Sequence, residues 1–133
     1  MKKILLSFAT LLMLVLASCS GKKGDITDST MAFLDAYFKI DYSLAGTFCT
    51  ANMAMELKEK LKGIESLDPV VKNLLVSQSK EIKAEIVAVN RLRGSDSAKV
   101  NYRIILPKKN QSIEQTLSLV LENKVWRIAE LGK

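Results

Sequence analysis

The sequence predicts an α+β domain in which helices come first and an antiparallel sheet follows. Between about residues 27 and 77, apolar side chains recur at helical spacing, and from about Lys80 onward they alternate with polar ones. Four alternating segments separated by short turns predict a four-stranded meander with one apolar face. Because the helices precede the strands rather than alternating with them, the pattern is typical of the α+β class.

Three helices are expected before the sheet. The first is predicted over about 27–47, with an apolar face wide enough to be covered on two sides. Thr50 can cap a second helix over about 51–62, and Gly63 is a plausible end for it. The third helix, over about 68–77, begins with an Asp-Pro pair, which suits an N-cap followed by the first turn.

The outer face of the predicted sheet is unusually apolar at four positions. These positions are Val87, Val89, Ile105 and Val120. A contiguous cluster of such side chains marks an interaction surface. A homodimer that forms through this sheet face is therefore one hypothesis for the quaternary structure.

The N-terminal residues predict a lipoprotein signal. Two lysines precede an apolar run over 4–16, which is too short for a comfortable membrane span of about 20 residues. The run ends in Leu16-Ala17-Ser18-Cys19, which resembles the bacterial lipobox. That resemblance implies cleavage between Ser18 and Cys19 and acyl chains on Cys19. An ordinary cleaved signal and a retained N-terminal anchor helix are the alternatives that these residues leave open.

The signal prediction divides the chain into three parts: a signal peptide (1–18), a lipidated tether (19–25) and one α+β domain (26–133). Two or more acyl chains attach a protein stably to a bilayer, at about 0.8 kcal/mol per buried methylene. Ser20 follows the cysteine, which resembles the signal for the outer membrane rather than for inner-membrane retention. The expected location is the cell envelope, on the periplasmic face of the outer membrane.

Composition narrows the chemistry of the domain. The chain has no histidine, which removes His-based acid–base catalysis and most transition-metal sites. The net charge of +6 comes from interspersed lysines and acids without an arginine-rich stripe, so no nucleic-acid partner is expected. If Cys19 is acylated, Cys49 has no partner within the chain, and we expect it to be buried or to pair with another molecule. No metal or other cofactor is predicted.

The order of elements resembles the nuclear-transport-factor-2-like (NTF2-like, or cystatin-like) cone fold. Three stretches are similar to small exported lipoproteins of that group, some of them described as lumazine-binding-like: AFLDAYF (32–38), DSAKV (96–100) and LVLENKVWRI (119–128). The resemblance covers about residues 26–131. It implies a sheet that curls around the long helix and an open end that forms a ligand pocket.

The candidate pocket lining is aromatic and consists of Tyr37, Phe38, Tyr102 and Trp126. Trp126 has an alternative interpretation as a core residue packed on the first helix. Together with the composition, these residues favour a non-catalytic binding or accessory module for a small apolar ligand or a partner protein.

Two other functions are compatible with the sequence. The first is a structural envelope protein that tethers or spaces other components. The second is an enzyme, because the resemblance implies that some cone-fold proteins use an aspartate base with a tyrosine donor. Asp35 and Asp41 are the aspartates near tyrosines. Neither is spaced three or four residues from its neighbouring tyrosine, as one helix face requires, so the enzyme hypothesis is disfavoured.

Overall fold

The computed structural model describes residues 22–132 of the protein. The lipobox, its predicted cleavage site and Cys19 lie outside the described residues. Within the described range the α+β class is confirmed. The helices are α1 (Lys22–Phe38), α2 (Tyr42–Gly46), α3 (Ala51–Glu65) and α4 (Pro69–Ser79), and the strands are β1 (Lys83–Arg91), β2 (Ser97–Leu106), β3 (Gln111–Glu122) and β4 (Val125–Leu131).

The predicted first helix is two helices, so its expected extent to residue 47 was wrong. Ile40 adopts a left-handed backbone conformation with φ of 61°, which a helix cannot contain and which is rare for a β-branched residue. Asp41 then caps α2, because its carboxylate accepts a hydrogen bond from the Leu44 backbone N–H at 3.2 Å. At its other end, α1 begins at Lys22, inside the segment predicted as a polar tether.

The capping predictions for the next two helices are confirmed. Thr50 Oγ1 accepts a hydrogen bond from the Met53 N–H at 3.3 Å, and Asp68 accepts one from the Val70 N–H at 2.9 Å. The expected end of α3 at Gly63 was wrong, because the helix continues to Glu65. A single glycine inside a helix costs about 1 kcal/mol relative to alanine and does not by itself end it.

The sheet is the predicted antiparallel meander, with strand order β1-β2-β3-β4. A bulge interrupts the β1–β2 register between Ile86 and Ala88 and leaves Val87 without a partner. Because one extra residue shifts the alternation, Val89 pairs with the buried Val100 and packs against the core. The prediction that Val89 lies on the outer face was therefore wrong.

The core lies between α1 and the inner face of the sheet. Phe33 and Leu34 of α1 are at most 1% exposed. The segment between α2 and α3 is tied to the last strand, since the Ile128 N–H donates to the Phe48 carbonyl and the Thr50 N–H donates to the Ile128 carbonyl, each at 2.9 Å. Each large apolar side chain buried here contributes about 1.5–3 kcal/mol.

Helix α4 packs differently from α1. Its apolar residues Val70, Val71, Leu74 and Leu75 are exposed, whereas Ser79 is buried. In the described part of the chain, no helix is long and apolar enough to cross a bilayer.

Candidate functional site: a lysine-rimmed cavity beside an aromatic cluster

The C-terminal end of α1 carries an aromatic cluster centred on Tyr37. The Tyr37 ring centroid lies 5.5 Å from that of Phe33, 5.2 Å from that of Phe38 and 5.3 Å from that of Tyr42. These distances are in the range in which aromatic rings attract one another. Tyr37 and Phe38, both predicted as pocket residues, are thus brought together here.

Tyr102 of β2 faces the same region from the sheet. Burial, and secondarily the nearby Tyr37 phenol, raises the pKa of Tyr102, and the same two causes raise the pKa of Tyr42. Both phenols therefore stay protonated near neutral pH and act as hydrogen-bond donors. Lys60 Nζ donates to Tyr37 Oη at 3.4 Å and lies 5.7 Å from the centre of the Tyr37 ring, a cation–π arrangement.

A cavity of about 370 Å³ lies between the end of α1 and the start of β1. Phe38 connects it to the aromatic cluster. Its apolar walls come from both elements, and three lysines also line it; the full set is Met31, Leu34, Asp35, Phe38, Lys39, Lys80, Ile82, Lys83 and Ala84. One of these lysines, Lys39, is paired with Asp35 at 3.0 Å. The cavity therefore offers apolar walls together with an excess of positive charge.

Trp126 lies apart from this site, in the core, so its predicted place in the pocket lining was wrong. It is 2% exposed, and the Arg91 guanidinium carbon lies 4.8 Å from its ring centroid. Arg91 is itself positioned by a hydrogen bond from its Nε to the Ser95 carbonyl at 3.2 Å. The alternative interpretation as a core aromatic is the one that the structure supports.

Sequence reasoning missed Tyr42 and Lys60 as neighbours of the site. The sequence predicts one continuous helix through Tyr42, whereas the break at Ile40 brings the Tyr42 ring beside that of Tyr37. Lys60 meets Tyr37 across 23 residues of chain, and nothing in the local pattern of α3 distinguishes it from the other exposed lysines of that helix. No local sequence signal could have found this contact.

The two aspartates near tyrosines and the Cys49 thiol each have a structural partner. Asp35 forms the surface ion pair with Lys39, and Asp41 caps α2. The Cys49 thiol is buried, as expected, and donates to the Ala45 carbonyl at 3.3 Å. Burial raises the pKa of Cys49 to about 12, against the smaller, opposing effect of the Arg127 charge. The thiol is therefore protonated at neutral pH, and a protonated thiol is a poor nucleophile and metal ligand.

The outer sheet face carries polar groups where an apolar patch was expected. Arg103 in the middle of β2 bridges Glu85 at 2.7 Å and Glu114 at 3.0 Å. Val120 pairs with Ser97 at one end of β2, and Ile105 lies at the other end. Val87, Ile105 and Val120 thus do not form a continuous patch, and the homodimer hypothesis loses the surface on which it was based.

In residues 22–132, no three carboxylate or thiol side chains converge in the way that a metal ion requires.

No family model matches the chain, and neither does any curated protein. Among solved structures, it is similar to a Campylobacter jejuni protein whose crystal structure is described as that of a candidate NTF2-like transpeptidase. The TM-score is 0.54 at 14% sequence identity, and the match covers 77% of this chain and 95% of that chain. The fold is NTF2-like. At this level of identity the likeness concerns the fold alone, and it confirms the cone architecture that the order of elements implied.

Proposed function

We propose that the protein is a lipid-anchored envelope protein whose NTF2-like domain binds a small, largely apolar ligand without catalysing a reaction on it. The observation that carries this proposal is the cavity between α1 and β1, with its apolar walls and its lysines. A volume of about 370 Å³ is within the range of small-molecule sites.

The chemistry of the cavity favours a ligand with an apolar body and one anionic group. Phe38, Leu34 and Ile82 can cover the apolar part. Lys80 can pair with a carboxylate or a similar anion.

The state of the nucleophilic side chains supports a non-catalytic role. Transpeptidation proceeds through an activated nucleophile, and the one thiol that the structure describes, Cys49, is buried and protonated. Asp35 and Asp41 are occupied by an ion pair and a helix cap. The name of the Campylobacter jejuni protein therefore gives no reason to assign its activity to this chain.

The anchor rests on the lipobox residues Leu16-Ala17-Ser18-Cys19. Helix α1 begins at Lys22, three residues after Cys19. An acylated Cys19 would therefore hold the domain against the bilayer surface, on the periplasmic face of the outer membrane.

Native mass spectrometry of the protein, extracted from membranes in mild detergent, tests both parts of the proposal. We expect a chain that begins at Cys19 and carries acyl groups, together with a bound small molecule. Cys19→Ser should remove the acyl mass and release the protein from membranes. Ala84→Trp, which fills the cavity, should remove the bound molecule and leave the acyl groups in place.

A matched pair of lysine variants separates the cavity from general surface charge. Lys80→Gln should weaken retention of the ligand, whereas Lys99→Gln, on the outer sheet face, should not. An empty wild-type protein would refute the binding module and leave the anchor intact. Membrane retention of Cys19→Ser after removal of the leader would refute the anchor and leave the ligand result intact.

A further inference from the structure

Helix α4 turns its apolar side outward. Val70, Val71, Leu74 and Leu75 follow one another at i, i+1, i+4 and i+5, the spacing of a single helix face, and they are 76%, 50%, 57% and 37% exposed. Leu67, just before the helix, is also exposed. We name these five residues the outward stripe.

The opposite side of α4 is the less exposed side. Ser79 is buried and forms a hydrogen bond from its hydroxyl to the Val76 carbonyl at 2.7 Å. Lys72 and Val76 are half-buried on the same side. A surface helix of a globular protein normally buries its apolar stripe, so α4 has the reverse orientation. Five apolar side chains in one exposed stripe mark an interaction surface, whereas single exposed residues do not.

Lysines surround the C-terminal end of the outward stripe. Gln78 continues the stripe by one turn and lines a cavity of about 270 Å³ together with Lys108 and Lys109. Lys80 follows directly after the helix. Glu81 is the acidic residue of this cavity, and it is paired with Lys108 at 2.6 Å. Positive charge therefore remains in excess beside the apolar stripe.

An exposed apolar stripe with lysines at one end suits the interface of an anionic bilayer. Apolar side chains enter the boundary between headgroups and acyl chains, while the lysines remain among the anionic headgroups. The charge at the end of α4 is thus complementary to such a bilayer.

The proposed anchor brings α4 within reach of the membrane. Three residues span at most about 10 Å, so an acylated Cys19 keeps the start of α1 near the bilayer. Helix α1 is about 25 Å long, and its last residue, Phe38, shares a cavity with Lys80 at the end of α4. The end of α4 therefore lies about one length of α1 from the proposed anchor.

We infer that the outward stripe docks on the anionic bilayer to which the protein is anchored and fixes the orientation of the domain there. This inference rests on the proposed function only in that the anchor supplies the nearby membrane.

The test uses the mature chain, residues 19–133, with Cys19→Ser so that no acyl group contributes. Co-sedimentation is measured with vesicles of phosphatidylglycerol and, separately, of phosphatidylcholine. We expect binding to the anionic vesicles, and a loss of about tenfold or more in affinity for Val71→Asp and for Leu74→Asp. Val87→Asp, which replaces an equally exposed valine on the sheet, should bind like the parent chain. Circular dichroism shows that each variant is folded.

The lysines provide a second readout. Lys109→Gln should weaken binding to phosphatidylglycerol about fivefold and leave binding to phosphatidylcholine unchanged. The inference is overturned if the parent chain does not bind anionic vesicles or if Leu74→Asp binds as well as the parent. It is also overturned if the parent chain binds no vesicles and instead forms a dimer that Leu74→Asp dissociates. Each of these results leaves acylation of Cys19 and ligand retention, which are measured separately, unaffected.

Discussion

Helices α1 and α4 each have an apolar stripe, but the stripe of α1 is buried and the stripe of α4 is exposed. The stripe of α1 contains Phe33 and Leu34 and is covered by the sheet, so that these side chains are almost inaccessible. The stripe of α4 contains Val70 and Leu74 and is more than half exposed at both positions. Helical periodicity is equally clear in the two segments, so periodicity alone does not determine which stripe is buried.

The difference lies in what each helix can reach. Helix α1 lies across the inner sheet face, where alternate residues of the strands, among them Val100, Leu117 and Ile128, present one apolar surface. Helix α4 is short, and its less exposed side carries Lys72, Val76 and Ser79. A stripe is buried when a complementary surface is already in place, and of these two helices the sheet supplies such a surface to α1.

The largest expected effect comes from truncating the two stripes in parallel. Phe33→Ala should lower the free energy of unfolding by about 3–5 kcal/mol, because it leaves a cavity in the core. Leu74→Ala should change it by no more than about 0.5 kcal/mol, because an exposed side chain loses few contacts. Urea denaturation, followed by circular dichroism, measures both values. If both variants lowered the free energy of unfolding equally, α4 would be packed like α1, and the contrast between the two stripes would be refuted.

A smaller contrast is expected within strand β1, on either side of its bulge. Val89→Lys should destabilise the domain by about 1–3 kcal/mol, because the charge is directed toward the core. Val87→Lys should have an effect within about 0.5 kcal/mol, because Val87 is unpaired and exposed. The same denaturation experiment is suitable for both. If Val87→Lys were the more harmful of the two, the bulge would be misplaced and β1 would follow the uninterrupted alternation of the sequence.

Much of the fold could be predicted because it depends on local chemistry. The caps at Thr50 and Asp68 follow from side chains that accept the free N–H groups of a helix start. The meander follows from alternation and short turns. The bulge at Val87 could not be predicted, because Ile86, Val87 and Val89 suit either face equally well. The break at Ile40 was hidden in a similar way, since the apolar spacing continues through it.

The site was less predictable than the fold, because it depends on contacts between distant segments. Tyr37, Phe38 and Tyr102 are predicted as aromatic residues of the pocket lining. Trp126 was misplaced, because the inner face of β4 is core along most of its length. The lysines of the cavity come from the end of α1 and the segment entering β1, and their proximity follows from how these two elements pack. Local periodicity carries no information about such packing.

Site-specific thiol labelling tests the orientation of α4 most directly. In the Cys19→Ser background the remaining thiol, Cys49, is buried and protonated, so it provides an unreactive baseline. Cysteine is introduced separately at Leu74, at Lys72 and at Leu34, and the rate of maleimide labelling is compared with that of the unfolded chain. The structure predicts that Leu74→Cys reacts nearly as fast as the unfolded chain, Lys72→Cys more slowly, and Leu34→Cys only as fast as the protein unfolds. Protection of Leu74→Cys together with rapid labelling of Lys72→Cys would contradict the outward orientation of the stripe.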